Sequence, residues 1–128
     1  MDGGELYLVA ELVVPADVGM LSLCRTTLVG VVSGLPITDR RLDDLKLVLS
    51  EVCGAAMERT HAADGKVDIG FRRSADEVEV SVRDRGPDQA EGHMLAVQLL
   101  EKLCSRIDVE HHPDGPGRVV RFAQRLPA

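Results

Sequence analysis

The stretch "LVLSEVCGAAMERTH", residues 47–61, carries aliphatic side chains at the spacing of one helix face. Thr38 or Asp39 can cap the helix upstream, and Leu42, Leu45, Val48, Leu49, Val52 and Ala56 form one continuous stripe that runs out near His61. At about 100° per residue, Glu51 falls roughly 60° beyond the edge of that stripe. Ala55 lies between them. Glu51 is therefore either a solvated helix carboxylate or a carboxylate at the rim of a cleft between this helix and the surface that its apolar face covers.

The next segments change period. "KVDIGFRR" (66–73) alternates Val67, Ile69 and Phe71 with polar neighbours, and "EVEVSVRD" (77–84) alternates Val78, Val80 and Val82. Period two marks strands with one buried face, and the short "SAD" link between them suits a hairpin. The second strand ends at Asp84, and Gly86 two residues later lets the backbone turn sharply or approach a ligand. Asp84 is thus an ordinary strand-ending residue or a second acidic group of the same cleft.

Upstream, residues 5–14 read as a strand. After Pro15, the residues Val18, Leu21, Leu28, Val31 and Val32 fit a first helix that Gly34 and Pro36 stop. Downstream, Leu95, Leu99, Leu100 and Leu103 predict a third helix over Met94 to Ile107. Ile107–His111 and Arg118–Arg125 then read as a closing strand pair, turned by Pro113, Gly115, Pro116 and Gly117. The fold class that follows is α+β: a two-layer sandwich of a mixed, mostly antiparallel sheet with three helices on one face. At 128 residues the expectation is a single domain over 1–128.

Composition narrows the function. Two Phe, one Tyr and no Trp leave few platforms for stacking bases, and a net charge of -6 opposes phosphate backbones, so nucleic acid is not an expected partner. Cys24, Cys53 and Cys104 are odd in number and set in apolar patterns, which predicts three buried free thiols and no zinc. "MDGGELYLVAELVV" lacks a basic leader region and Glu11 breaks its apolar run; neither a signal peptide nor a membrane span is expected, and the location is cytoplasmic. His111 and His112 point to opposite faces of a strand and read as a solvated pair, while His61 and His93 are given no catalytic role.

Taken together, "DDLKLVLSEVCGAAMERTH", the hairpin ending "VSVRDRGPD" and the segment "EGHMLAVQLLEKLCSRIDVEHHPDGPGRVVRF" resemble the GHKL, or histidine kinase-like, ATP-binding fold of histidine kinases, gyrase and MutL. The resemblance spans nearly the whole chain and is strongest to the anti-sigma factor serine kinases of bacterial partner-switching systems. It implies a catalytic role for Glu51 in activating the attacking hydroxyl. It implies nucleotide binding by Asp84, Gly86, Gly92 and Gly117, with Asp84 accepting the adenine amino group, and partner binding by Arg25. The implied partners are a sigma factor or an anti-sigma factor antagonist, and the implied assembly is a homodimer.

Departures from the family pattern are as informative as matches. Four residues after Glu51 the family places an Asn that holds Mg²⁺; this chain has Ala55, so no metal ligand carries over. Asp88 stands where the family has a further glycine, Met94 where a second glycine would follow Gly92, and Arg118 where a Thr would follow Gly117. Mg²⁺ neutralises much of the charge in phosphoryl transfer, and the loop from Asp84 to Glu91 is net negative, so ATP and Mg²⁺ are disfavoured as cofactors. Asp84 and Gly86 leave a place for a weakly held nucleoside. The reading is an anti-sigma-factor-like regulator acting by protein–protein binding, with ATP binding and kinase activity weakened or lost. The alternative is an active ATP-dependent serine kinase that phosphorylates an antagonist protein, with Asp88 supplying an oxygen to the metal.

Overall fold

In the computed structural model, residues 4–60, 65–86, 98, 100–111 and 115–127 are described. Strands β1 (Tyr7–Pro15), β2 (Lys66–Arg73), β3 (Glu77–Asp84), β4 (Arg106–His111) and β5 (Arg118–Arg125) form one sheet in the order β1-β2-β3-β5-β4. All four described pairings are antiparallel, so the sheet is more regular than the mixed one expected. Two helices, α1 (Leu21–Val32) and α2 (Asp39–Arg59), connect β1 to β2.

The period-two pattern places its apolar residues in register. Ala10, Phe71, Val80, Phe122 and Ile107 form one row across all five strands, and Leu12, Ile69, Val82, Val120 and Val109 form the next. Both rows belong to the core that also holds Leu28, Val31 and Val32 of α1 and Leu45, Val48, Leu49, Val52 and Ala56 of α2. Each layer buries its one apolar face against the other, which is the physical reason for a two-layer arrangement. The outward rows are polar and partly ion-paired: Arg106 reaches Glu79 at 2.9 Å and Glu77 at 3.4 Å, and Arg121 reaches Glu110 at 3.0 Å.

Local signals set the helix ends. The Arg41 amide donates to Thr38 Oγ1 at 3.2 Å, which makes Thr38, rather than Asp39, the N-cap of α2. Gly34, at φ 83, turns the chain out of α1. The guanidinium of Arg73 donates to the carbonyls of Val31 and Ser33 at the end of α1 and to the Tyr7 hydroxyl, joining helix, β2 and β1. Val18, expected on the buried stripe, is exposed. Its segment is a 3-10 turn (Val18–Met20) that Asp17 caps by accepting from the Gly19 amide at 2.8 Å, and α1 begins only at Leu21.

The third helix differs from its expected span. Gln98 and Leu100 are helical, but residues 101–105 form turns and bends, and β4 starts at Arg106 rather than after Ile107. The Leu103 amide closes a tight turn on the Leu100 carbonyl, and the Ser105 amide donates to the Ala123 carbonyl of β5. Pairing with the sheet thus takes over before Ile107 can be helical. Residues 94–97 and 99 of that expected span lie outside the described residues, as do His61, His93, His112 and Pro113. Two α-helices are described over their whole length, against the three expected.

All three thiols are free and buried. Cys53 donates to Cys24 across the α1–α2 contact, which draws Cys24 down and, with burial, pushes Cys53 up. Burial pushes Cys104 up as well. Thiolate is the reactive form and none of the three sulfurs is open to solvent, so an aromatic disulfide reagent at pH 8 is expected to titrate no thiol in the native protein and all three after unfolding in guanidinium.

Candidate functional site

The end of α2, the ends of β3 and β4 and the start of β5 converge on one small cleft. Glu51 and Ala55 reach it from α2, Asp84 from β3 and Arg118 from β5, over a floor that includes Val52, Val82 and Val120. Glu51 is exposed on the helix but borders the cleft, so both features of its boundary position are realised. The enclosed interior of the cleft is ≈ 30 Å³, room for about two waters.

Asp84 is the most constrained residue of the site. It is 2% exposed; its Oδ1 accepts from Arg59 Nε at 3.2 Å and from the Gly86 amide at 2.9 Å, and Arg59 Nη2 lies 3.2 Å from it as an ion-pair contact. Arg59 is equally buried, at 4%, and also donates to the Gly86 carbonyl. A buried carboxylate is stable only when paired and hydrogen-bonded, and Arg59 and the Gly86 amide meet Oδ1 here, while Arg59 Nη1 is itself buried without a hydrogen-bond partner. Arg59 was not singled out from the sequence. Its signal was there: it follows Val52 and Ala56 at helical spacing, which puts a base on the apolar stripe of α2.

Gly86 and Gly117 are explained by packing. A Cβ on Gly86 would meet the Arg59 carbonyl oxygen at 2.6 Å. Gly117, at φ 112, lies so close to the end of β3 that a Cβ would come within 2.2 Å of the Asp84 carbonyl oxygen. Gly92, with Asp88 and Met94, lies outside the described residues. Arg118, noted from the sequence only as a departure, is buried opposite Asp84 in the β3–β5 register.

Arg25 is half-buried on α1 and donates from Nη1 to Ser50 Oγ on α2 at 3.2 Å, so it ties the two helices together and is set apart from the cleft residues. His111 is exposed at the end of β4. No group of three or more His, Cys, Asp or Glu able to hold a metal occurs among the described residues. Among the described residues, Ala55 offers the cleft a methyl group and no oxygen for a metal, and Asp84 Oδ1 already accepts from Arg59 Nε and the Gly86 amide. The charged groups at the site, Glu51 and Asp84 against Arg59 and Arg118, cancel one another. No helix among the described residues is long and apolar enough to cross a membrane.

Three comparisons bear on this geometry. Residues 14–126 match the family model of the histidine kinase-like ATPase domain. The serine-protein kinase RsbW of Bacillus subtilis is 30% identical over 124 residues, a match covering 80% of this chain and 78% of that protein. The serine-protein kinase RsbW of Bacillus pumilus is 31% identical over 80 residues, covering 59% of this chain and 49% of its own length. Among solved structures, the RsbU and RsbW domains of a Mycobacterium tuberculosis protein superpose with a TM-score of 0.71 at 20% identity, over 94% of this chain and 34% of that one; the likeness there is of fold.

Removing one member of a buried pair strands the other charge, at a cost of about 3–5 kcal/mol, whereas an exposed pair contributes roughly 0–1 kcal/mol. Urea unfolding is therefore expected to show Arg59→Ala far less stable than Arg106→Ala, with Asp84→Asn recovering part of the loss when combined with Arg59→Ala.

Proposed function

This chain belongs to the histidine kinase-like ATPase domain family, and on that premise we propose that it is an anti-sigma-factor-like regulator acting by protein–protein binding, with nucleotide binding and phosphate transfer weakened or lost. The observation that carries the reading is Ala55 in the wall of the cleft beside Glu51 and Asp84. A kinase of this kind needs an oxygen near there to hold the cation that bridges the phosphates. The described charges of the cleft, Glu51 and Asp84 against Arg59 and Arg118, balance and support the same reading, because a triphosphate requires net positive surroundings.

The proposed partners are a sigma factor or an anti-sigma factor antagonist, the compartment is the cytoplasm, and the assembly is a homodimer. Arg25 remains the partner-binding position in this reading, with its tie to Ser50 fixing its direction on the helix pair. Glu51, which does border the cleft, favours the second reading of an active serine kinase, and the same titration decides between them.

Calorimetric titration with magnesium and ATP is expected to give no binding heat up to millimolar nucleotide, and incubation with a serine-bearing antagonist protein no phosphoserine. Ala55→Asn, which restores an oxygen, is expected to bind magnesium nucleotide more tightly than the native chain. Micromolar affinity of the native chain together with transfer to a partner serine would overturn the proposal.

A further inference from the structure

Exposed apolar side chains are concentrated in one place on this protein. Five of the eight large exposed hydrophobics among the described residues, Tyr7, Leu8, Val9, Val13 and Val18, fall within a span of twelve positions on and just after β1. β1 is an edge strand: among the described residues it pairs with β2 alone and presents the backbone groups of its other side to solvent. A long, apolar edge is a template for an added strand; here a register shift after Leu8 and Pro15 interrupt its two ends, and the run from Ala10 to Val14 between them pairs regularly.

The extra residue between Leu8 and Ala10 changes which side chains face outward. Leu8 lies opposite Arg72, whereas Ala10 lies opposite Phe71, so Val9 is a bulge and the alternation flips across it. Leu8, Glu11 and Val13 consequently share the helix-free face. At the far end β1 runs into a recess of ≈ 720 Å³ whose described lining includes Pro15, Val18 and Met57 together with the carboxylates of Asp17 and Glu58.

Charge identifies the occupant. Before Arg25 the sequence contains four acids and no Lys or Arg. Along the edge and its recess, Glu5, Glu11, Asp17 and Glu58 are all exposed, while the flanking bases of β2 are Lys66 and Arg72, and Arg73 is engaged with the end of α1. Pairing two copies of this edge would bring its carboxylates together, and like charges near one another across a strand pair are destabilising. A segment that alternates aliphatic residues with Lys or Arg has the opposite sign and the right period.

We propose that the free edge of β1 is a docking surface for an extended, basic–aliphatic segment of a partner protein. It adds as a sixth strand, with a base facing Glu11 and another entering the recess between Asp17 and Glu58. Main-chain hydrogen bonds supply the attachment, and the alternate side chains supply selectivity. The inference deepens the binding-module reading by giving it a surface and a kind of partner, and it rests on that reading only for its biological use.

The test uses a capped nine-residue peptide alternating Val with Lys, and its counterpart with Glu in place of Lys. The full chain is expected to bind the basic peptide at least about tenfold more tightly than the acidic one, with the preference shrinking as salt screens the carboxylates. Amide shifts in the NMR spectrum should concentrate in residues 7–18. Glu11→Lys and Glu58→Lys, both at exposed positions, should each weaken the basic peptide several-fold while leaving the melting temperature unchanged. Equal affinity for the two peptides, no binding of either, or shifts centred elsewhere overturns the proposal. So does a Val13→Lys variant that turns a dimer into a monomer without altering peptide affinity, because the edge would then belong to a second copy. Phosphate transfer from magnesium ATP would sink the regulatory reading and leave this result standing.

Discussion

Arg59 and Asp84 form a buried ion pair that joins the last turn of α2 to the end of β3, and the cleft region is built around it. Two charges at 4% and 2% exposure are costly unless each meets its complement, so the pair fixes how the helix end sits over the sheet. Gly86 closes against the Arg59 backbone because Asp84 holds its amide, and β5 can pass under the end of β3 only because Gly117 has no side chain. Take away the pair, and the close approach of three chain segments loses its reason.

The same pair bears on function. Asp84 Oδ1 is met by an arginine of the same chain. Arg59 Nη1, by contrast, is buried with no hydrogen-bond partner. Among the described residues, β1 combines an apolar edge with an acidic flank. Its opposite number across the sheet, β4, shows the contrast: Asp108 and Glu110 there are drawn into pairs with Arg106 and Arg121.

Much of the fold was legible in the sequence because periodicity reports burial directly. The alternation of Val67, Ile69 and Phe71 and of Val78, Val80 and Val82 translated into two registered rows, and the stripe from Leu45 to Ala56 became the buried face of α2. What was missed depended on contacts between distant segments. Val18 fits a helical stripe, but a cap by its neighbour Asp17 overrode the pattern, and the expected helix stops after Leu100, in turns that lead to the Ser105 bond with the Ala123 carbonyl. At the site, Glu51, Ala55 and Asp84 did come together, whereas the partner of Asp84 was hidden because Arg59 reads as a routine basic residue near a helix end.

Gly86 and Gly117 carry a lesson about ancestry. Their missing side chains are demanded by the carbonyl oxygens of Arg59 and Asp84, atoms that stay put whether or not any nucleotide ever enters. Selection for folding alone would keep both glycines in place. Signature patterns that weigh these glycines therefore read the close packing of three chain segments as well as any ligand, and the glycines alone do not tell the two apart.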